Sequence, residues 1–515
     1  MDTKALRQKI LDLAIRGKLV PQEPNDEPAE VLLERIREQK QQMFKEGKLK
    51  KKDIKNDTII FKGEDNLHYE KFQDGTVKCI EDEIPFEVPE GWAWCKLNDI
   101  YNFIDYRGAT PTKITNGIPL VTAKNVKSGY IDYTIDDYIS EEEFKERQQR
   151  GISKKGDILF TTEAPLGNAA LADMEKFSAG QRLITFQQYG SKNELINYVM
   201  LMFILSDFFQ QQLYVNKTGS TVAGIKAAIL KTLWIPVPPY NEQLRISNTL
   251  KSAINLIDSI SKNKEILSTS ISNTKSKILD LAIRGKIVPQ DPNDEPASVL
   301  LERIRAEKEE LIKQGKIKRD KKESVIFKGD DNSYYGIHLP DSWNWASLRE
   351  IALSISDGSH NPPPNNGSGI PLLSAANIND NSILMNEISR WITNEEWKIE
   401  NQRTNIEVGD VLLTIVGSIG RSAVVQNNNH FALQRSVAVI KPCLINPLYL
   451  MHIVQSPQIQ KWLTDNSKGT AQKGIYLNAL SLMIIPIPPL AEQARIVEHI
   501  HIAYKHLDLI SNALL

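Results

Sequence analysis

The sequence predicts an α+β protein: two similar domains separated by a long antiparallel coiled coil of helices, pseudo-two-fold in arrangement and built as a circularly permuted repeat. Three observations predict it. The stretch "KILDLAIRGKLVPQEPNDEPAEVLLERIR" at 9–37 returns at 277–305, with differences only at Leu19/Ile287, Glu23/Asp291 and Glu30/Ser298. The 44 residues from Asn241 to Arg284 contain no Pro or Gly, so one long helix fits them. Between these frame segments lie two stretches of short β-type runs punctuated by turn residues.

The N-terminal half-helix takes 1–20, and a helix with a basic linker takes 21–83. Asp26 or Glu27 is placed to cap that helix, Pro28 fits its first turn, and "AEVLLERIREQKQQMFKEG" runs to a stop at Gly47. The first interior domain spans 84–238, with strands at "GIPLVTA" and "GDILFTT" and one helical run at 194–214. The central helix takes 239–286. Steps of 4,3,4,3 from Ile246 reach Leu250, Ala253, Ile257, Ile260, Lys264, Leu267, Ile271, Thr274, Ile278 and Leu281, an apolar seven-residue repeat. At 1.5 Å per residue its 44 residues span roughly 66 Å, and Gly285 is placed to end it.

The frame then repeats: 287–334 mirrors the helix and linker, 335–488 is the second interior domain, and 489–515 is the C-terminal helix. In the second domain "GDVLLTIV" and "RSVAVIKP" read as strands and 447–464 as the matching helical run. Further anchors pair off: "VPEGWAWCKLNDI" (88–100) with "LPDSWNWASLREI" (339–351), and "WIPVPPYNEQLRI" (234–246) with "IIPIPPLAEQARI" (484–496). Gln181-Arg182 pairs with Gln434-Arg435. The N-terminal copy aligns at an offset of 268 and the C-terminal one at 250, so the chain ends together rebuild the central helix. Trp92, Trp94, Trp343 and Trp345 are expected in the core.

Polar loop clusters sit beside these anchors. In the first domain they contain Arg107, Thr110, Lys124, Asn125, Lys127, Gln181, Arg182, Lys217, Ser220, Thr221 and Lys226. In the second they contain Ser359, His360, Asn361, Asn377, Gln434, Arg435, Lys468, Thr470, Gln472 and Lys473. Such side chains bond base edges and phosphates, and ordinary loops share the composition, so both readings stay open at this point. The basic runs 45–55 and 313–322 fit a solvated helix end as well as phosphate contact.

Several chemistries are disfavoured. No G-x-x-x-x-G-K-[ST] occurs. "NPPP" (361–364) lacks the aromatic fourth residue that would stack on a flipped base. Asp157 and Glu163 have no E-x-K after them for a nuclease metal site. Cys79, Cys95 and Cys443 form no C-x-x-C, and His499, His501 and His506 read as helix surface. No catalytic or metal site is expected. With a net charge of -1, no long apolar run and no apolar N-terminal signal, the expected compartment is the cytoplasm.

On "ALRQKILDLAIRGKLVPQEPNDEPA", repeated centrally, and the paired "IPVPPYNEQLRI"/"IPIPPLAEQARI" ends, the whole chain resembles the specificity (S) subunits of type I restriction–modification systems, the IB subgroup most of all. The resemblance implies a non-catalytic subunit with two target-recognition domains, each reading half of a bipartite double-stranded DNA site. It implies helices that set the spacer and dock two modification (M) subunits. S-adenosylmethionine would be held by the M subunits, ATP and Mg by restriction (R) subunits, and no cofactor by this chain. The residues alone leave two alternatives: an adaptor for protein or sugar ligands, and a self-contained methyltransferase.

Overall fold

Both copies of the doubled stretch fold alike because both end a helix on a glycine that nothing else can replace. In this computed structural model, which describes residues 2–55, 57–106, 110–134, 136–189, 194–219, 223–319, 333–469 and 473–514, the helices Thr3–Ile15 and Tyr240–Ile283 run into Gly17 and Gly285, each at φ +64. The turn N–H groups bond back, Lys18 to Leu13 O at 2.8 Å and Lys286 to Leu281 O at 2.9 Å. A Cβ on Gly17 would lie 2.3 Å from Pro89 Cγ, and one on Gly285 2.6 Å from Pro340 Cγ. The left-handed turn and the close approach of a proline near the start of the domain together demand glycine.

The second helices follow at Ala29–Lys45 and Ala297–Lys313, stopping before Gly47 and Gly315. Neither Asp26 nor Glu27 caps the first of them, because both are engaged elsewhere: Asp26 with Arg245 and Glu27 with Arg35. Pro28 stands at the N-cap, and the free Ala29 N–H donates to Gly91 O at 2.8 Å, as Ala297 donates to Ser342 O at 2.9 Å. Lys40 of the first of these helices is buried, its Nζ donating to Asp57 Oδ1 at 2.7 Å and Asn98 O at 3.0 Å.

The chain divides into two compact units, Met1–Asn263 and Lys264–Leu515, with the boundary inside the central helix. Within the first, the N-terminal helix and the turn after it meet the start of the central helix through Gln22–Glu242, Asp26–Arg245 and Arg7–Asp258. Within the second, Gln290–Glu492, Asp294–Arg495 and Lys275–Asp508 are the same contacts at the offsets of 268 and 250. Numbers rise on one helix as they fall on the other, so each pair is antiparallel. The strict seven-residue seam is only partly followed. Ile246, Leu250, Ile257 and Ile271 are buried as expected, but Leu267 and Thr274 are exposed and burial then passes to Leu279, Ala282 and Ile283. A helix of 3.6 residues per turn drifts away from a 3.5 repeat, and beyond Ile271 the helix packs against a domain core rather than along one seam.

Each interior holds a four-stranded antiparallel sheet in the order Tyr101–Asp105, Leu183–Gln188, Ile158–Thr161, Ala169–Leu171, matched by Ala352–Asp357, Val437–Pro442, Val411–Thr414, Ser422–Val424. Beside it a short parallel pair joins Ile118–Val121 to Ser178–Ala179, and Ile370–Leu373 to Ala432–Leu433. The helical runs are each broken in two, at Asn197–Ile204/Asp207–Val215 and Pro447–Val454/Pro457–Asp465. Ser206 Oγ caps the second piece from Phe209 N, and Ser456-Pro457 marks the same break. Residues 59–79, read as linker, form a three-stranded antiparallel sheet. The four tryptophans are buried, and Trp92 and Trp343 donate Nε1 to Glu242 and Glu492, both at 2.9 Å. The frame helices and the sheet share one core: Leu11, Ile15, Leu32, Ile246 and Leu250 pack with Trp92, Phe160 and Phe203.

Candidate nucleic-acid interface

At one end of each four-stranded sheet, backbone hydrogen bonds gather loops that lie far apart in sequence. In the first unit Thr162 N donates to Arg182 O at 3.0 Å, Ile225 N to Thr162 O at 3.0 Å, and Gly180 N to Val121 O at 2.7 Å. Thr218 and Gly224 close a hairpin with bonds of 2.8 and 3.0 Å, and Gly224 bridges Glu163. In the second unit Ile415 N donates to Ser436 O at 2.9 Å, Ile475 N to Ile415 O at 2.9 Å, and Gln434 N to Leu373 O at 2.8 Å. Lys468 and Gly474 close the hairpin, and Gly474 bridges Val416. The two edges are the same scaffold.

That scaffold corrects one pairing. Leu183 pairs with Thr161 and Val437 with Thr414 in matching registers. Gly180 therefore stands where Gln434 stands, Gln181 where Arg435 stands, and Arg182 where Ser436 stands. The shared Gln-Arg is displaced by one residue. The loop before it is one residue longer in the second domain, which an alignment by residue identity hides.

In the first domain Arg182 is exposed and pairs through Nε with Glu163 Oε1 at 3.1 Å. Gln181 Oε1 accepts Thr110 Oγ1 at 2.7 Å. Lys217 lies over the Tyr214 ring at 3.6 Å, Lys127 is 3.9 Å from Asp132, and Lys124 and Lys226 are exposed. Asn125 departs from expectation: it is buried, with Oδ1 accepting Thr122 N at 2.9 Å and Nδ2 donating to Asp132 O at 2.9 Å. Asn377 does the same, with Ser374 N at 2.9 Å and Glu387 O at 2.9 Å. Both amides close a turn and leave no edge for a base. Arg107, Ser220 and Thr221 lie outside the described residues.

In the second domain Ser359 is buried, bonded through its backbone to Leu433 O at 2.7 Å and Arg435 N at 2.9 Å. His360 Nε2 lies 2.8 Å from Asp357 Oδ2, and Arg403 holds the same carboxylate. Asn361, Arg435, Lys468 and Lys473 are exposed, Gln434 is half-buried, and Ser436 Oγ accepts Ala375 N at 3.0 Å. Thr470 and Gln472 lie outside the described residues. Sequence reasoning missed Arg147, which is buried and donates to Ser178 Oγ at 3.0 Å and Ala179 O at 2.6 Å, fixing the strand that leads to Gln181. Within "FKERQQR" nothing marks it off from helix-surface arginines.

The arrangement offers exposed cations and amides on a rigid edge, which suits phosphate and base-edge contact. Its two carboxylates, Asp157 and Glu163, are each engaged within the protein. Asp157 is buried, accepts Lys154 N and Gln187 Nε2 at 2.7 Å each, and is pushed by burial up to about 6. Glu163 is engaged with Arg182 instead. Among the described residues no group of three His, Cys, Asp or Glu could hold a metal ion, and no helix is long and apolar enough to cross a membrane.

Comparison with known proteins gives a consistent picture. Residues 89–268 and 340–514 match the Type I restriction modification DNA specificity domain. The chain is 28% identical to the EcoEI type I restriction enzyme specificity subunit of Escherichia coli, over 99% of this chain and 90% of that one. It is 30% identical to the EcoAI specificity subunit of Escherichia coli, over 73% of this chain and 67% of that one. A solved structure described as the structural basis of complex assembly and conformational transition of the type I R-M system superposes with a TM-score of 0.55 at 18% identity, covering 84% of this chain and 94% of that one.

Proposed function

The chain belongs to the type I restriction modification DNA specificity family, and on that premise we propose how its two halves divide one task. It is the DNA sequence-specificity subunit of a type I restriction–modification complex, binding DNA and assembling with other subunits. Each domain reads one half of an asymmetric, bipartite target in the major groove, through the loop edge described above. One observation carries this reading: the two edges keep the same backbone bonds and differ in the side chains those bonds present, Glu163 against Val416, Gln181 against Arg435, Arg182 against Ser436. Two different readers on one scaffold recognise two different half-sites.

The frame helices form an antiparallel coiled-coil ruler with pseudo-two-fold symmetry that sets the spacer. Half-sites one DNA turn apart lie about 34–36 Å from each other, within the roughly 66 Å of a 44-residue helix. The near-identical frame docks two identical M subunits, which hold S-adenosylmethionine and methylate adenine, while R subunits bring ATP and Mg. The chain itself contributes recognition and no chemistry. An adaptor for protein or sugar ligands, or a methyltransferase complete in itself, gains no support from the relatives.

The test is gel shift against a random DNA library, with and without the M subunit, together with a methylome of a host carrying the gene. Sequence preference in two separated blocks is expected; no preference under either condition overturns the reading. Exchanging residues 84–238 for another family member's domain should change one block only. Lengthening the helix near 262–270 by two turns should widen the spacer and leave both blocks unchanged.

A further inference from the structure

Arg182 and Glu163 are a charged pair that only one of the two domains possesses. At the same backbone positions the second domain carries Ser436 and Val416, although the hydrogen bonds that fix those positions are the same in both. The pair therefore does nothing that the scaffold requires. It is also accessible, with side chains 52% and 45% exposed. An ion pair so exposed adds little to stability, so its placement needs another reason.

The geometry supplies one. Arg182 Nε lies 3.1 Å from Glu163 Oε1, and among the described residues the guanidinium has no ion-pair partner besides Glu163. A guanidinium held from the side keeps its forked end free, which is the end that meets guanine O6 and N7 in bidentate fashion. Glu163 itself stands on a fixed point, because its backbone is bridged to Gly224 of the hairpin. Its charge has the wrong sign for a phosphate surface, where it would weaken binding. A carboxylate kept at such an edge serves selectivity rather than affinity. Resting on the DNA-reading role given above, we propose that Glu163 and Arg182 are a specificity-determining pair of the first domain: Arg182 reads the major-groove edge of a guanine, and Glu163 positions its guanidinium.

The experiment uses the full chain assembled with its modification subunits. Binding is measured at fixed salt to the wild-type target, to all single-base variants of both half-sites, and to unrelated DNA. Relative to the wild type, Arg182→Ser and Glu163→Val should both relax preference at one and the same G·C position of the first half-site, by about 10-fold or more. Preferences at the other half-site should stay as they are, and Glu163→Val should leave binding to unrelated DNA equal or tighter. Glu163→Gln keeps an acceptor for Nε and should restore most of the preference, which a merely structural role would not predict. Equal weakening on every DNA, no change at any base, or changes at two different positions for the two residues would overturn the proposal. A wild-type complex without any base preference would instead overturn the DNA-reading role itself.

Discussion

Gln243 is fully buried in the first turn of the central helix, and replacing it by Glu tests how the domain is fastened to the frame. Its Oε1 accepts Ile196 N at 2.8 Å and its Nε2 donates to Pro238 O at 3.0 Å. The first of these serves a helix start, Asn197–Ile204, that has no side-chain cap of its own. Gln493 repeats the arrangement with Asn446 N at 2.9 Å and Pro488 O at 3.1 Å. Gln243→Glu changes no volume. At neutral pH it keeps the acceptor, removes the donor and sets a carboxylate against a carbonyl oxygen. Burial of a carboxyl this complete raises its pKa by roughly three, which corresponds to about 4 kcal/mol, and the retained Ile196 bond returns part of that. The net expectation at pH 8 is a loss of about 2–4 kcal/mol.

The sign with pH follows from the same shift. The folded carboxyl holds its proton above the pH at which the unfolded one, near 4.3, has lost it. The loss therefore grows as pH rises from about 4 to about 7 and vanishes towards pH 4, where the protonated acid can donate to Pro238 O. Urea unfolding of variant and wild type, followed by tryptophan fluorescence at pH 5 and pH 8, measures the difference. Gln493→Glu should act alike on its own unit. A difference that is the same at both pH values, or below about 1 kcal/mol at pH 8, would refute the account of Gln243 as donor and acceptor.

Three further outcomes are expected. Burial pushes His452 down to about 4 and its Nδ1 has no hydrogen-bond partner among the described residues, while the matching position in the first unit holds Met202. The unfolded imidazole gains its proton near 6.5, so stability falls as pH drops towards 4; His452→Met should gain about 2 kcal/mol more over wild type at pH 5 than at pH 8 in urea titrations. Gly285→Ala meets both a left-handed φ of +64 and Pro340 Cγ at 2.6 Å, whereas Gly47→Ala meets only its φ of +72. The former should lower stability well beyond the roughly 1–2 kcal/mol of the latter, and equal losses would remove the close approach from the argument. Lys226→Ala should reduce the slope of log affinity against log salt by about 0.9, the change expected for one phosphate contact; Asn125→Ala should lower the melting temperature and leave that slope unchanged.

The frame was legible in the sequence because its contacts are made by particular side chains. Gly17 and Gly285 answer to a backbone angle, Trp92 and Trp343 to a buried carboxylate, and Arg7–Asp258 returns as Lys275–Asp508 at the offsets that the doubled stretch defines. Such requirements leave marks in residue identity. The break at Ser206 was written there too, as a serine that caps, but a run of apolar residues obscured it. Asp26 was misplaced because a capping site in sequence says nothing of Arg245, 219 positions away.

The loop edge was illegible for the opposite reason. Its constant features are main-chain hydrogen bonds, Thr162 to Arg182 and Ile415 to Ser436, which almost any residue can make. Register, not identity, fixes which side chains face out, and loops of unequal length had moved the register by one when Gln-Arg was matched to Gln-Arg. Asn125 and Asn377 mislead similarly, since an amide that closes a turn looks in sequence like one that reads a base. A scaffold held by backbone bonds has a functional consequence: side chains on it can change at little cost in folding. The exchange of Glu163 and Arg182 for Val416 and Ser436 is what such freedom permits, and it is how one fold repeated within a chain comes to present two different surfaces.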